Sequence, residues 1–106
     1  MLKEKCKYLI YFTLDIKQAH RANIEPLEYI EIMGEDLINF HINDRNLQCD
    51  CLLPGKGEVK YNSILEKLRK INYKGNLIIE VYRKNYLDYN EIEKSKKFLD
   101  KIISRK

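Results

Sequence analysis

Three short apolar segments each run directly into a side chain that can bind a divalent metal. Tyr8-Leu-Ile-Tyr-Phe-Thr-Leu14 leads into Asp15, Asp36-Leu-Ile-Asn-Phe40 into His41, and Asn76-Leu-Ile-Ile79 into Glu80. Two carboxylates and an imidazole are an ordinary donor set for Mn²⁺, Mg²⁺, Co²⁺ or Zn²⁺. An ion held this way polarises a carbonyl oxygen while a carboxylate moves a proton at the adjacent carbon. Singly, each residue says little. A strand-end Asp commonly caps a turn or helix, and a lone His is commonly a hydrogen-bonded structural residue. Their shared position, at the ends of three successive segments, is what makes them a set.

The elements around them alternate strand and helix. Tyr8–Leu14 is rich in aromatic and β-branched residues, as a buried strand is. A helix is expected to open at Glu25 or Pro26, with Leu27, Ile30 and Met33 inward and Gly34 as its stop. The second strand runs from Asp36 to Ile42. A loop from Asn43 to about Lys60 follows, long enough to suggest a functional role. The second helix spans Tyr61–Asn72 with Ile64, Leu65, Leu68 and Ile71 on one face. After the turn Tyr73-Lys-Gly75, the third strand begins at Asn76. A last helix opens at Asp88, with Glu91 placed to complete a capping box and Ile92, Leu99, Ile102 and Ile103 inward.

Side chains alternate across a strand, so each segment sorts into two faces. One parity is wholly apolar: Ile10, Phe12, Leu14; Ile38, Phe40, Ile42; Leu77, Ile79, Val81. The other is mixed: Tyr11, Thr13, Asp15; Leu37, Asn39, His41; Asn76, Ile78, Glu80. A sheet with helices on both faces tends toward continuous apolar runs. One strictly apolar face and one chemical face suit a (β/α)8 barrel, whose helices lie outside and whose site lies at the strands' C-terminal ends. A three-layer sheet with polar strand ends accounts for the parity less well. The expected fold is therefore α/β, a partial (β/α)8 TIM barrel: three βα units with a parallel sheet and helices on one face. Residues 1–106 form one such domain. Three strands leave two edges and the interior face uncovered, so either this is part of a longer protein or copies cover one another as a homo-oligomer.

Composition narrows the partners. The charge is +4, with charged residues at 34% spread along the chain, which describes a solvated surface rather than a nucleic-acid groove. The basic tail Lys101–Lys106 reads as a helix end. No apolar run is long enough to cross a membrane. Lys3, Lys5 and Lys7 precede an apolar stretch too short for a signal peptide, so the expected location is cytoplasmic. Three cysteines, an odd number, do not outline a disulfide framework. Cys49 and Cys51 read better as reduced loop thiols than as half a zinc site.

Around the set lie further candidates. Gln18 and Lys17 follow Asp15 and are placed to meet a substrate, although loop polarity accounts for them equally. Asp44 is a candidate partner for the His41 ring, and Arg45 for a phosphate or substrate oxygen; a solvated turn explains both as well. Leu53-Pro-Gly-Lys-Gly57 offers backbone N–H groups and Lys56 to an anion, or is simply a tight turn; it is not a Walker loop. His20 has no motif partner and should face solvent.

Thr13-Leu-Asp-Ile-Lys-Gln-Ala19, Pro26-Leu-Glu-Tyr-Ile30, His41-Ile-Asn-Asp44, Leu53-Pro-Gly-Lys-Gly57 and Tyr73-Lys-Gly-Asn-Leu-Ile-Ile-Glu-Val-Tyr82 together resemble the C-terminal part of sugar phosphate isomerases/epimerases. These belong to the xylose isomerase-like TIM-barrel superfamily, which also contains endonuclease IV. The resemblance runs from about Tyr8 to Ile103. It implies that the three strands are the sixth to eighth of the barrel and that Asp15, His41 and Glu80 match three ligands of a divalent metal. It also implies that Glu80 matches one of two acid/base glutamates, and that the substrate is a sugar or sugar phosphate. Gln18, Asp44, Arg45 and Lys56 then stand as substrate-binding candidates. Two departures accompany it. The second glutamate belongs to an earlier strand, so the chain alone is expected to be inactive, or a non-catalytic remnant that self-associates. Gln18 and Asp50-Cys-Leu52 stand where endonuclease IV-like enzymes carry histidines, which argues against a trinuclear zinc nuclease.

Overall fold

The structure is a computed structural model and describes residues 10–104. Tyr8 and Leu9 of the first expected strand, the lysines at 3, 5 and 7, and the end of the basic tail lie outside the described residues. The elements in order are β1 (Phe12–Asp15), α1 (Ile16–Arg21), α2 (Pro26–Met33), β2 (Leu37–Ile42), α3 (Tyr61–Lys70), β3 (Asn76–Ile79) and α4 (Tyr89–Ser104). The strands form one parallel sheet in the order β1-β2-β3. This is the α/β arrangement expected of a partial TIM barrel, with the right number of βα units and the helices on one side.

Local chemistry sets most boundaries. Pro26 occupies the first turn of α2, and Gly34, at φ 52°, closes it. Helix α3 ends at Lys70 rather than Asn72 because Asn72 takes a left-handed conformation, φ 57°. Its N–H bonds to Arg69 O and that of Tyr73 to Leu68 O, a Schellman pair. The expected capping box opens α4: Asp88 Oδ1 accepts from Asn90 and Glu91 N–H, and Glu91 Oε2 accepts back from Asp88 N–H at 3.2 Å. α1 was not anticipated. It is six residues long, capped by Asp15 at its start and by Asn23 (φ 57°) just past its end.

The core lies between the sheet and the helices. Leu14, Leu37, Phe40 and Ile42 meet Ile30 of α2, Ile64, Leu65 and Leu68 of α3, and Leu99 and Ile102 of α4. Three expectations need correction. Leu37, not Ile38, faces the helices: the β1–β2 pairing passes from Phe12–Leu37 to Thr13–Asn39, so Ile38 is an extra residue that switches the parity below it. On α2, Leu27 is exposed and Tyr29 packs with Ile30 and Met33 instead. On α4, Ile103 is exposed, and Ser95 takes an inward position by donating to Pro54 O at 2.6 Å.

Among the described residues, no helix covers the other sheet face. It presents Tyr11, Thr13, Ile38, Asn39, Asn76 and Ile78; Asn76 donates across to Asn39 at 3.2 Å. Glycine is needed at one close approach on the sheet's rim: a Cβ at Gly75 would sit 2.1 Å from Ile38 O.

Candidate metal centre

Parallel pairing places Asp15 opposite His41, and Glu80 follows β3, its N–H bonding to Ile42 O at 2.9 Å. All three side chains therefore reach the C-terminal edge of the sheet, on its bare face. One ligand atom from each lies within 4.8 Å of the others. His41 Nδ1 is 3.9 Å from Asp15 Oδ2 and 3.6 Å from Glu80 Oε2.

Each carboxylate has one oxygen held by the protein and one turned to the centre. Asp15 Oδ1 accepts from Lys17 N–H at 2.9 Å, capping α1, and from Asn43 Nδ2 at 3.2 Å. Glu80 Oε1 accepts from Lys17 Nζ at 3.1 Å. Asp15 Oδ2, Glu80 Oε2 and His41 Nδ1 are left converging. Ligands at about 2.1 Å from one ion lie about 3 Å apart, so small side-chain shifts suffice to close on a divalent cation. The donor types and their spacing fit such a group.

The loop after β2 supports the edge from outside. Asp44 is buried, and its carboxylate accepts from the N–H groups of Arg45, Gly55 and Val59, each at 2.9 Å. Asp44 thus folds the loop on itself. Gly57 is required where the loop closes, since a Cβ there would meet Arg45 O at 2.3 Å. Tyr61 O–H donates to Asn43 O at 2.6 Å, which steadies the residue that holds Asp15. Burial pushes the Tyr61 phenol far up, and the nearby Asp44 carboxylate adds to the shift.

The other candidates are dispersed. Gln18 is exposed on α1, next in sequence to Lys17. Arg45 lines a cleft of about 360 Å³ with His20, Glu58, Lys60 and Ser63, into which none of the three converging residues reaches. Lys56 is exposed on its turn. Cys49 is exposed, while Cys51 is buried with Sγ 3.8 Å from Glu80 Oε1. His20 is exposed.

Sequence reasoning underrated Lys17. It is buried, at 8% exposure, and its ammonium lies over the Tyr82 ring at 5.0 Å. Burial works against its charge, but hydrogen bonds to Glu80 and Tyr82 and the charges of Asp15 and Glu80 outweigh it and hold the pKa above the usual lysine value. At the rim, Arg21 pairs with Asp50 at 2.7 Å and reaches Tyr82 Oη at 3.3 Å. The Arg21 guanidinium holds the Asp50 carboxyl below its usual range.

A family model described as xylose isomerase-like TIM barrel matches residues 8–102. The chain belongs to this family. It is 34% identical over 95 residues to an uncharacterized protein of Methanocaldococcus jannaschii, covering 86% of this chain and 30% of that protein. It thus spans under a third of the length of this curated relative. Among solved structures, a D-psicose 3-epimerase with D-fructose superposes with a TM-score of 0.80 at 20% identity, over 98% of this chain and 42% of that one. The 3-keto-D-glucoside 4-epimerase of E. coli gives 0.78 at 18%, over 94% and 36%. A D-tagatose 3-epimerase-like protein gives 0.70 at 30%, over 96% and 39%. Each of these three solved structures is more than twice as long as the part matched here. Among the described residues, no helix is long and apolar enough to cross a membrane.

Proposed function

We propose that this chain is the metal-holding C-terminal portion of a sugar or sugar phosphate isomerase/epimerase, in which a proton moves at the carbon beside a sugar carbonyl. The observation that carries the reading is the convergence of Asp15 Oδ2, His41 Nδ1 and Glu80 Oε2 at the strand ends of a barrel-family sheet. These three residues would hold a divalent cation, Mn²⁺, Mg²⁺, Co²⁺ or Zn²⁺, which when bound polarises substrate oxygens. Glu80 is the proton-transfer group: its side chain is 35% exposed and reachable from the bare face. Gln18 meets a substrate hydroxyl, and Arg45 and Lys56 lend positive charge to the loop. Asp44 serves the substrate side by fixing that loop.

Proton transfer on both faces of a sugar carbon needs a second acid/base group. The bare face beneath the centre offers Thr13, Asn39, Asn76 and Ile78 among the described residues, none of them acidic. The second group therefore comes from further βα units, and these residues alone turn over no ketose. The bare face, and the β1 and β3 edges unpaired among the described residues, support self-association of the isolated chain.

Calorimetric titration with Mn²⁺ tests the site. Binding should weaken on His41→Ala by at least the ~10- to 100-fold that loss of even an outer partner produces. Unchanged Mn²⁺ affinity in His41→Ala would remove the basis of the proposal.

A further inference from the structure

We propose that Lys17 is the built-in counter-ion of this centre, a positioning residue that holds Glu80 in place and opposes binding of a divalent cation. A lysine on a six-residue helix at the sheet's edge has an easy route to water, because its long stem lets the ammonium reach the surface. Lys17 does the opposite. Its Nζ turns inward, 3.1 Å from Glu80 Oε1 and 4.0 Å from Asp15 Oδ2, against the Tyr82 ring.

The reason is electrostatic. Asp15 and Glu80 bring carboxylate oxygens within 4.8 Å of each other, and two like charges so close repel unless a cation joins them. The chain supplies that cation itself. By bonding Oε1, Lys17 also fixes which Glu80 oxygen stays available, so Oε2 faces His41. The same charge makes the centre a weaker cation site. With neutral His41, the formal charge of Asp15, Glu80 and Lys17 sums to −1, whereas a centre without the lysine would carry −2.

The first part of this inference needs no metal. The second part rests on the metal reading above, so the test separates them. In EDTA, the thermal midpoints of the unaltered chain, Lys17→Met, Glu80→Gln and the double variant form a cycle. Lys17→Met and Glu80→Gln should each lower the midpoint, and the double variant should fall well short of the sum of the two losses. Lys17→Arg should keep most of the stability that Lys17→Met loses. In Mn²⁺ titrations, Lys17→Met should bind on the order of tenfold more tightly than the unaltered chain, and added salt should narrow the gap. Additive losses in EDTA would overturn the proposal, as would an unchanged or weaker Mn²⁺ affinity in Lys17→Met. If neither chain binds Mn²⁺, the metal reading fails, and the EDTA cycle alone decides the role of Lys17.

Discussion

The two faces of the sheet are made by the same three strands, yet one is closed and the other is bare. On the clad face, Leu14, Phe40 and Ile42 are buried under helices supplied by the chain itself. On the bare face, Tyr11, Ile38 and Ile78 are 47%, 40% and 42% exposed, and the polar groups of the candidate centre stand at its end. The difference separates two demands on one strand. Alternate residues hold the sheet to its helices, and the residues between them present chemistry to whatever lies opposite. The clad face should therefore carry stability, and the bare face should carry function at little cost to folding.

The most direct way to break this division is Phe40→Ala. Phe40 is fully buried in the core of the clad face, and its removal leaves a cavity there. Truncating a buried Phe costs about 3–5 kcal/mol, a large share of what a small domain has. Urea unfolding should show this loss. A loss below about 1 kcal/mol would mean that the clad face does not organise the fold.

Much of the clad face was legible because period and parity are local signals. Ile64, Leu65 and Leu68 declare their face within one helix, and Asp88 with Glu91 declares an N-terminus within four residues. What escaped was either too short or too distant. α1 has six residues, fewer than two turns, so no apolar stripe develops; only Asp15 before it and Asn23 after it mark its ends. The bulge at Ile38 is invisible because Leu37 and Ile38 are both apolar, and only pairing with β1 decides which of them is the extra residue. Lys17 reads equally as a substrate contact or as loop polarity, because its partner Glu80 lies 63 residues away. The convergence of Asp15, His41 and Glu80 was legible, since each sits at the end of its own strand. The inward turn of Asp44 depends on N–H groups up to 15 residues on, which the local pattern His-Ile-Asn-Asp does not announce.

Tyr61 joins the two faces and sharpens the comparison at high pH. It packs in the clad core, while its O–H holds Asn43, whose side chain holds Asp15. Tyr61→Phe keeps the ring and removes that one bond, for an expected loss of about 1 kcal/mol at neutral pH. The phenol also carries a pH dependence. Burial raises the Tyr61 pKa above its ordinary value and lifts that of Tyr73 to about 12. The folded state thus favours the protonated phenol. Stability from these groups is complete below the unfolded value near ~10 and declines as pH rises beyond it. Denaturant midpoints between about pH 9 and 12 should fall less steeply in Tyr61→Phe than in the unaltered chain. Identical slopes would show that Tyr61 is not protected by the core.

The smallest effect is expected on the bare face, and its dependence on concentration is the informative part. Ile78 lies one strand over from His41 in the sheet pairing and is 42% exposed. A monomer in dilute solution has little apolar contact to lose there, so Ile78→Thr should change stability by less than about 0.5 kcal/mol. Threonine also keeps the β-branched shape that suits a strand. If copies of the chain cover one another through this face, the same substitution removes an interface contact, and its cost should grow as protein concentration rises, because association adds to apparent stability by mass action. Urea midpoints of Ile78→Thr and the unaltered chain, each measured over a hundredfold range of concentration, distinguish the two situations. Parallel, flat midpoints assign the bare face to folding-neutral chemistry in the isolated chain. A gap that opens with concentration assigns it a second copy, and then the residues around the candidate centre are constrained by assembly as well as by chemistry.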